Sequence, residues 1–354
     1  MKIVADENIP EVVAAFALLG SVRTVDGRKM TAAEIGDADI LLVRSVTRVD
    51  KALLDGTRVR FVASATAGVN HVDLDYLARR GIAFANAPGS NAISAAEYVI
   101  AAICHWSLTK GVPLDGLRVG IVGRGHVGSR VQRRCEALGM RCVVNDPPLA
   151  EQGIGGLDSL DAALQCDIVT LHVPLIDDGR HPTRRLLDAE RIARLRPGTL
   201  FINAARGEVV DEKALLMRMK RHHDLDVVLD VWENEPEIDL EMLRHCLLGT
   251  AHIAGYSADG KIRGTEMIHR ACCEYLGVEP GWSSADVRLP VPARKIRLSA
   301  SPGVREQVLE AYDIETDSAR LKAVLETGVD GAGRYFDYLR KHYPVRREFT
   351  DDEL

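Results

Sequence analysis

The segment Arg118–Asp146, RVGIVGRGHVGSRVQRRCEALGMRCVVND, constrains the fold of this chain more than any other. Arg118–Val122 is a short apolar run of the kind a buried parallel strand shows. Gly123, Gly125 and Gly128 follow as G-R-G-H-V-G, and a helical pattern runs from about Val127 to Leu138 before Gly139 stops it. Arg141–Asn145 reads as a second strand that ends at Asp146. A strand, a glycine turn, a helix and an acid at the end of the next strand make up a dinucleotide-binding fingerprint. Gly123 permits the tight turn, Gly125 lets the backbone approach a pyrophosphate, and Gly128 lets helix and strand pack closely. The helix N-terminus offers unpaired N–H groups to phosphates. Asp146, 18 residues beyond Gly128, stands where an acid accepts hydrogen bonds from the adenosine ribose hydroxyls. A carboxylate there repels a 2′-phosphate, so NAD is favoured over NADP. Gly123, Gly125, His126, Val127, Gly128 and Asp146 are therefore the candidate cofactor cradle. A G-x-G-x-x-G alone would be a weak sign; its strand, helix and acid give it weight.

A second α/β unit is already complete before that turn begins. Strand patterns at Lys2–Ala5, Val22–Val25, Asp39–Arg44, Arg60–Ala65 and Ile82–Ala85 alternate with helical patterns near Pro10–Leu19, Ala32–Ala38, Lys51–Leu54 and Asp73–Arg80. Ala92–Lys110 reads as a long helix leading into the fingerprint. Further strands follow at Asp167–Val173, Gly198–Ala204 and Asp226–Val231, with helices at Leu157–Gln165, Asp188–Leu195 and Asp211–Arg221. A helix near Lys261–Leu276 is expected to return to the first unit. The predicted fold is α/β: two Rossmann-like lobes with parallel sheets flanked by helices and a cleft between them. Residues 1–92 and 254–285 would form one lobe and residues 93–253 the NAD-binding lobe. Beyond Trp282, prolines 290 and 292 break the chain, a basic strand-like run Arg294–Leu298 follows, and helical patterns continue to the end. Residues 286–354 are expected to be a small α+β dimerisation module.

Bulk properties exclude several classes. A net charge of −6 argues against a general nucleic-acid binder. The apolar stretch Ala92–Leu108 is interrupted by Glu97 and His105 and reads as too polar to span a bilayer, and MKIVADENIP lacks a signal-peptide core. The seven cysteines are scattered and form no C-x-x-C, which points to a reducing cytoplasm and to no metal.

Three polar positions after the fingerprint carry chemistry. Arg206 follows a strand in INAARGEVVD, where ligands bind in open α/β sheets, and its planar fork suits a carboxylate. Residue type alone would favour a solvated loop arginine. Glu235 lies in DVWENEPE and His252 in TAHIAGYS, each after a strand end. A histidine beside a carboxylate is the usual general acid/base arrangement, since the carboxylate fixes the tautomer and favours imidazolium. His222 and His223 on a charged helix and His105 in an alanine-rich one read as incidental, and N-E-P could be turn chemistry.

In order and spacing, Arg206, Glu235 and His252 resemble the Arg/Glu/His triad of the D-isomer-specific 2-hydroxyacid dehydrogenases. The resemblance extends through residues 65–99, GLRVGIVGRGHVG at 116–128, LFINAARGEVVDEKAL at 200–215 and LDVWENEPEIDLEML at 229–243. It implies oxidation of a 2-hydroxy acid by hydride transfer from C2 to NAD, with Arg206 holding the carboxylate, His252 taking the hydroxyl proton and Glu235 supporting His252. It also implies cofactor contacts at Val173, Ala205, Gly207, Asp230 and Gly255, and substrate contacts at Ser45, Thr66 and Tyr256. KIVADENIP, LLVRSVT at 41–47, HIAGYSADGKIRGT at 252–265 and YPVRREF resemble one branch of the family. That branch implies a small phosphorylated 2-hydroxy acid, 4-phospho-D-erythronate, oxidised to its 2-oxo acid on the route to pyridoxal 5′-phosphate by a homodimer. Arg44 and Lys261 are candidate phosphate ligands, while the run 340–347 reads equally as a phosphate contact or a solvated helix end.

Two departures stand out. Val173 replaces the threonine the family usually carries before Pro174, and His181, Arg184 and Arg185 make that loop more basic. Two rival readings share the fold: an enzyme acting on 3-phosphoglycerate or glycerate, and a non-catalytic NAD-sensing binding protein.

Overall fold

The computed structural model describes residues 1–327 and 331–350. The chain divides into two compact units, Met1–Asn91 with Ser257–Pro292 and Ala92–Tyr256 with Ala293–Leu354.

The first unit holds β1 (Lys2–Asp6), β2 (Ser21–Val25), β3 (Ile40–Val43), β4 (Phe61–Ser64) and β5 (Ala83–Asn86), all parallel, in the order β2-β1-β3-β4-β5. β3 and β4 are buried along their whole length, as strands covered on both faces must be. Three of the helices between the strands start on side-chain caps: Thr31 with Glu34 makes a capping box, and Asp50 and Asp73 accept from Leu53 N and Tyr76 N. The returning helix, Ala258–Leu276, is capped by Ser257. Its Ile268 and Cys272 enter the same core as Phe16, Phe61 and Ala87.

The second unit contains β6 (Arg118–Val122), β7 (Arg141–Asn145), β8 (Ile168–Leu171), β9 (Leu200–Asn203), β10 (Asp226–Leu229) and β11 (Leu248–Gly249), again all parallel, in the order β11-β10-β9-β8-β6-β7. The order reverses at β6, so the carboxyl end of β6, where the glycine turn begins, is the topological switch point at which ligands bind in such sheets. The helix Ala92–Lys110 is long and apolar enough to cross a membrane, contrary to the reading of its sequence, yet most of it is buried inside this unit. Its interrupting carboxylate, Glu97, is neutralised internally by Arg346 at 3.1 Å.

The tail differs from expectation. Its described residues form helices Val304–Ala311, Ile314–Lys322, Val324–Thr327 and Ala332–Lys341 and no strand. Arg294–Leu298 is irregular, tied down by Ile296 N donating to Phe349 O at 2.8 Å. Nor do these residues have a core of their own. Val308, Tyr312 and Phe349 pack with Tyr98, Ile103 and β6, while Leu321 and Phe336 pack with Phe201 and Trp232. Short helices that bury one face on an existing core share it, and Ala293–Leu354 accordingly groups with Ala92–Tyr256 in one compact unit.

Candidate active site

At the glycine turn each position answers to a different constraint. Gly123 sits at φ 94°, and a Cβ there would lie 2.8 Å from the His172 carbonyl. A Cβ on Gly128 would come 1.9 Å from the Gly123 carbonyl oxygen, so helix His126–Ala137 lies on the turn as closely as glycine allows. Gly125 is the helix N-cap, and a Cβ there would meet nothing within 4 Å. Nothing in the described chain therefore requires a glycine at 125. The space above it suits a phosphate laid against the first N–H groups of the helix. Asp146 accepts from Arg124 N at 2.7 Å and Leu149 N at 3.1 Å, which fixes the carboxylate beside the turn. A carboxylate has about four acceptor sites, so room remains for ribose hydroxyls. The Val173 methyl lies over Gly123, and a Cβ on Gly123 would be 2.9 Å from it. The strand–turn–helix–acid arrangement thus fits a dinucleotide.

The three chemical residues come together at the carboxyl ends of β9, β10 and β11. Asn203, at the end of β9, donates to Arg206 O at 2.9 Å and accepts from Ala205 N at 3.1 Å, folding the loop that presents Arg206. The Arg206 guanidinium donates to Ala205 O at 2.6 Å. Burial lowers its pKa, and the nearby charges of Glu235 and Glu208 oppose that. A Cβ on Gly207 would strike the Trp232 carbonyl carbon at 2.0 Å, so this loop and the one bearing Glu235 are in contact. Glu235 Oε1 accepts from Trp232 N at 3.0 Å, and Oε2 is 2.7 Å from His252 Nδ1. Burial alone would raise the Glu235 carboxyl; the His252 charge and hydrogen bond and the Trp232 amide outweigh it and hold it below its ordinary value. Glu235 is thus held as an acceptor, which in the neutral form of the ring puts the proton on His252 Nδ1 and the lone pair on Nε2.

His252 itself adopts φ 53°, a left-handed conformation unusual for a non-glycine residue. Asp230 supports it. This residue is 1% exposed, and its carboxylate accepts from Thr250 Oγ1 and Ile253 N at 2.7 Å each and Ala254 N at 2.9 Å. Its main chain also accepts His252 N at 2.7 Å. The sequence pointed to Asp230 only as a cofactor contact; its part in shaping the histidine loop needed the structure.

Ala205, Gly207 and Gly255 lie on these same loops. Tyr256 follows, with Arg340 from the tail 6.0 Å from its ring centroid and Glu235 attracting the same guanidinium. Ser45 and Thr66 belong to the other unit. Ser45 is exposed one residue after Arg44, and Thr66 Oγ1 shares a 2.8 Å bond with Ser64 Oγ, itself 3.0 Å from His71 Nε2. Arg44, after β3, is gripped by the buried Asp6 at 3.0 and 3.3 Å, and Lys261 is close enough for the Arg44 charge to lower its pKa, after burial, which is the larger cause. Among the described residues there is no cluster of metal-ligating side chains. Burial pushes the thiols of Cys104 and Cys166 up to about 12 and 11, as expected of cysteines that act as small hydrophobes.

Comparison with known proteins bears on this geometry. Residues 95–254 match the family model described as D-isomer specific 2-hydroxyacid dehydrogenase, NAD binding domain, and residues 294–353 match a domain of unknown function. The chain is 46% identical over 99% of its length to the erythronate-4-phosphate dehydrogenase of Hahella chejuensis, covering 93% of that protein. It is 47% identical to the protein of the same name from Salinibacter ruber, over 98% of this chain and 92% of that one. In fold it resembles the NAD-bound 3-phosphoglycerate dehydrogenase of Entamoeba histolytica, with a TM-score of 0.65 and 24% identity over 78% of this chain and 95% of the other.

Proposed function

The chain belongs to the erythronate-4-phosphate dehydrogenase family of D-isomer specific 2-hydroxyacid dehydrogenases, and from that membership we propose that it oxidises 4-phospho-D-erythronate at C2 with NAD. The product is 3-hydroxy-2-oxo-4-phosphooxybutanoate, an intermediate on the way to pyridoxal 5′-phosphate. When bound, NAD supplies the hydride acceptor. Gly123, Gly125, His126, Val127 and Gly128 hold its pyrophosphate and Asp146 its ribose, with further contacts from Val173, Ala205, Gly207, Asp230 and Gly255. Asp230 has about one acceptor site beyond the three bonds it makes within the chain.

Arg206 grips the substrate carboxylate through the N–H groups not given to Ala205 O, and draws electron density from the carbonyl as it forms. His252 Nε2 takes the C2 hydroxyl proton while hydride leaves C2. The imidazolium that results is stabilised by Glu235 at 2.7 Å. In the reverse direction the same nitrogen returns the proton. Ser45, Thr66 and Tyr256 contact the substrate, and Arg44 and Lys261 are candidates for its phosphate. We place the enzyme in the cytoplasm as a homodimer, which light scattering on the purified protein tests.

The observation that carries the reading is the Glu235–His252 pair held at 2.7 Å on the same sheet edge as Arg206 and the glycine turn. A substrate panel tests it: 4-phospho-D-erythronate should be turned over with a kcat/KM well above those for 3-phospho-D-glycerate and D-glycerate. Efficient turnover of phosphoglycerate alone would assign the chain to a different substrate.

A further inference from the structure

The run of basic residues near the end of the chain holds one that is not at the surface. Arg346 is 8% exposed, and its N–H groups are committed inside the protein. Nη1 donates to Glu97 Oε2 at 3.1 Å and Nη2 to Ser94 O at 3.2 Å, both on helix Ala92–Lys110. The other two bonds go elsewhere: Nη2 donates to Ala254 O at 3.1 Å and Nε to Tyr256 O at 3.0 Å. The face of the guanidinium lies 4.3 Å from the centroid of Tyr312.

These bonds divide the work of holding one loop. Between β11 and the cap residue Ser257, the amides of residues 253 and 254 are gathered by the Asp230 carboxylate, and the carbonyls of residues 254 and 256 by the Arg346 guanidinium. Gly255 lies between the two carbonyls and Tyr256 carries the second. A buried ion pair is a poor stability device, since desolvation offsets its attraction and an apolar pair often does as well. The tail is also attached apart from Arg346: Glu97 Oε1 accepts Phe349 N at 2.6 Å, Thr350 N at 2.7 Å and Thr350 Oγ1 at 3.0 Å. What Arg346 supplies beyond attachment is the planar fork that spans the two loop carbonyls.

We propose that Arg346 is a positioning residue: the tail reaches into the catalytic unit and sets the backbone of Gly255–Tyr256, so that the segment of unknown function completes the NAD and substrate contacts of this loop. The proposal rests on the reading of residues 252–256 as the catalytic loop. It assigns no chemical step to Arg346.

The test uses the full chain. The double variant Arg346→Met with Glu97→Gln removes both charges together, and the carboxamide oxygen introduced at position 97 still accepts the tail amides. We expect it to fold and melt near the parent while its NAD Kd and its KM for 4-phospho-D-erythronate rise by about tenfold to a hundredfold, the cost of misplacing contacts by up to an ångström. Thr350→Val is the control: it weakens the tail anchor, should lower Tm, and should leave Kd and KM unchanged. If the double variant fails to fold, Arg346→Lys, which keeps the charge but loses the fork, is read in the same way. Parent values of Kd and KM in the Arg346 variant would overturn the proposal, as would an equal rise in Thr350→Val. The NAD Kd does not depend on which acid is the substrate, so a parent enzyme inactive on 4-phospho-D-erythronate would strike the functional reading and leave this test standing.

Discussion

Replacing Gly125 and Gly128 separately by alanine should split the glycine turn into a binding residue and a folding residue. At 128 the added methyl would start 1.9 Å from the Gly123 carbonyl oxygen, and real Cβ contacts essentially never fall below 3.0 Å. Helix and turn must therefore part by about an ångström along a buried contact. Overpacking of this kind typically costs about 1–3 kcal/mol and occasionally more, and the obstacle here is backbone that cannot rotate away. Gly128→Ala should lower the urea midpoint clearly with or without NAD. At 125 the methyl meets nothing within 4 Å, and the residue already has φ −73°, so alanine fits without strain. Exchanging glycine for alanine at an N-cap costs only about a kcal/mol or less. If a pyrophosphate occupies that space, however, the methyl displaces it. Gly125→Ala should then weaken NAD binding by about tenfold or more, or about 1.4 kcal/mol and upward, with near-parent stability. Isothermal titration with NAD beside urea denaturation reads both quantities. Parent NAD affinity in Gly125→Ala would refute the assignment of that space to the cofactor, and a stable Gly128→Ala would refute the packing argument.

Other consequences are more direct. His252→Ala should lose about a hundredfold to ten-thousandfold in kcat while NAD affinity holds, and Glu235→Gln should follow it to a smaller degree; a fully active His252→Ala would remove it as the base. Arg206→Lys keeps the charge but not the fork, and should lower kcat/KM measurably against the carboxylate substrate, a change that steady-state kinetics reads. Asp146→Ala should relax the preference for NAD over NADP, at the cost of about 1 kcal/mol for the lost cap of helix Pro147–Glu151, and an unaltered NAD/NADP ratio would count against the ribose contact. Burial lowers His71 to about 4 and His172 to about 3, both below their ordinary 6.5. The unfolded chain then binds protons that the fold refuses, so stability from each is present above pH 6.5 and falls as pH drops towards those values, by up to about 1.4 kcal/mol per pH unit for each histidine. His71→Gln should flatten the acid limb of a urea-midpoint profile, and an identical profile would contradict this.

Much of the candidate site's local geometry was legible because it rests on local necessity. A glycine at 128 is demanded by a carbonyl five residues away, and a caps-and-strands pattern announces each crossover within about a dozen residues. Arg206, Glu235 and His252 were each readable as polar residues at strand ends, and the parallel order of the sheet then brings those ends to one edge. What the sequence could not convey is pairing over long separations. Glu97 looked like an interruption in an apolar helix, and only the fold shows its partner 249 residues further on. Asp230 appeared as a ligand contact, and its three internal bonds depend on the turn of a loop that no periodicity describes. The packing of the tail was hidden for a related reason. Its short amphipathic helices suggest a small module, but amphipathicity does not say whose core they cover, and here they cover that of the fingerprint unit.

The proposed reaction is hydride transfer from C2 of 4-phospho-D-erythronate to NAD, with His252 taking the proton. It is tested most directly with substrate deuterated at C2, the reaction products being examined by mass spectrometry and NMR. The deuterium should appear at C4 of the reduced nicotinamide, and the four-carbon product should be the unlabelled 2-oxo acid. Deuterium retained in the sugar acid, or released to solvent without reduction of NAD, would contradict it.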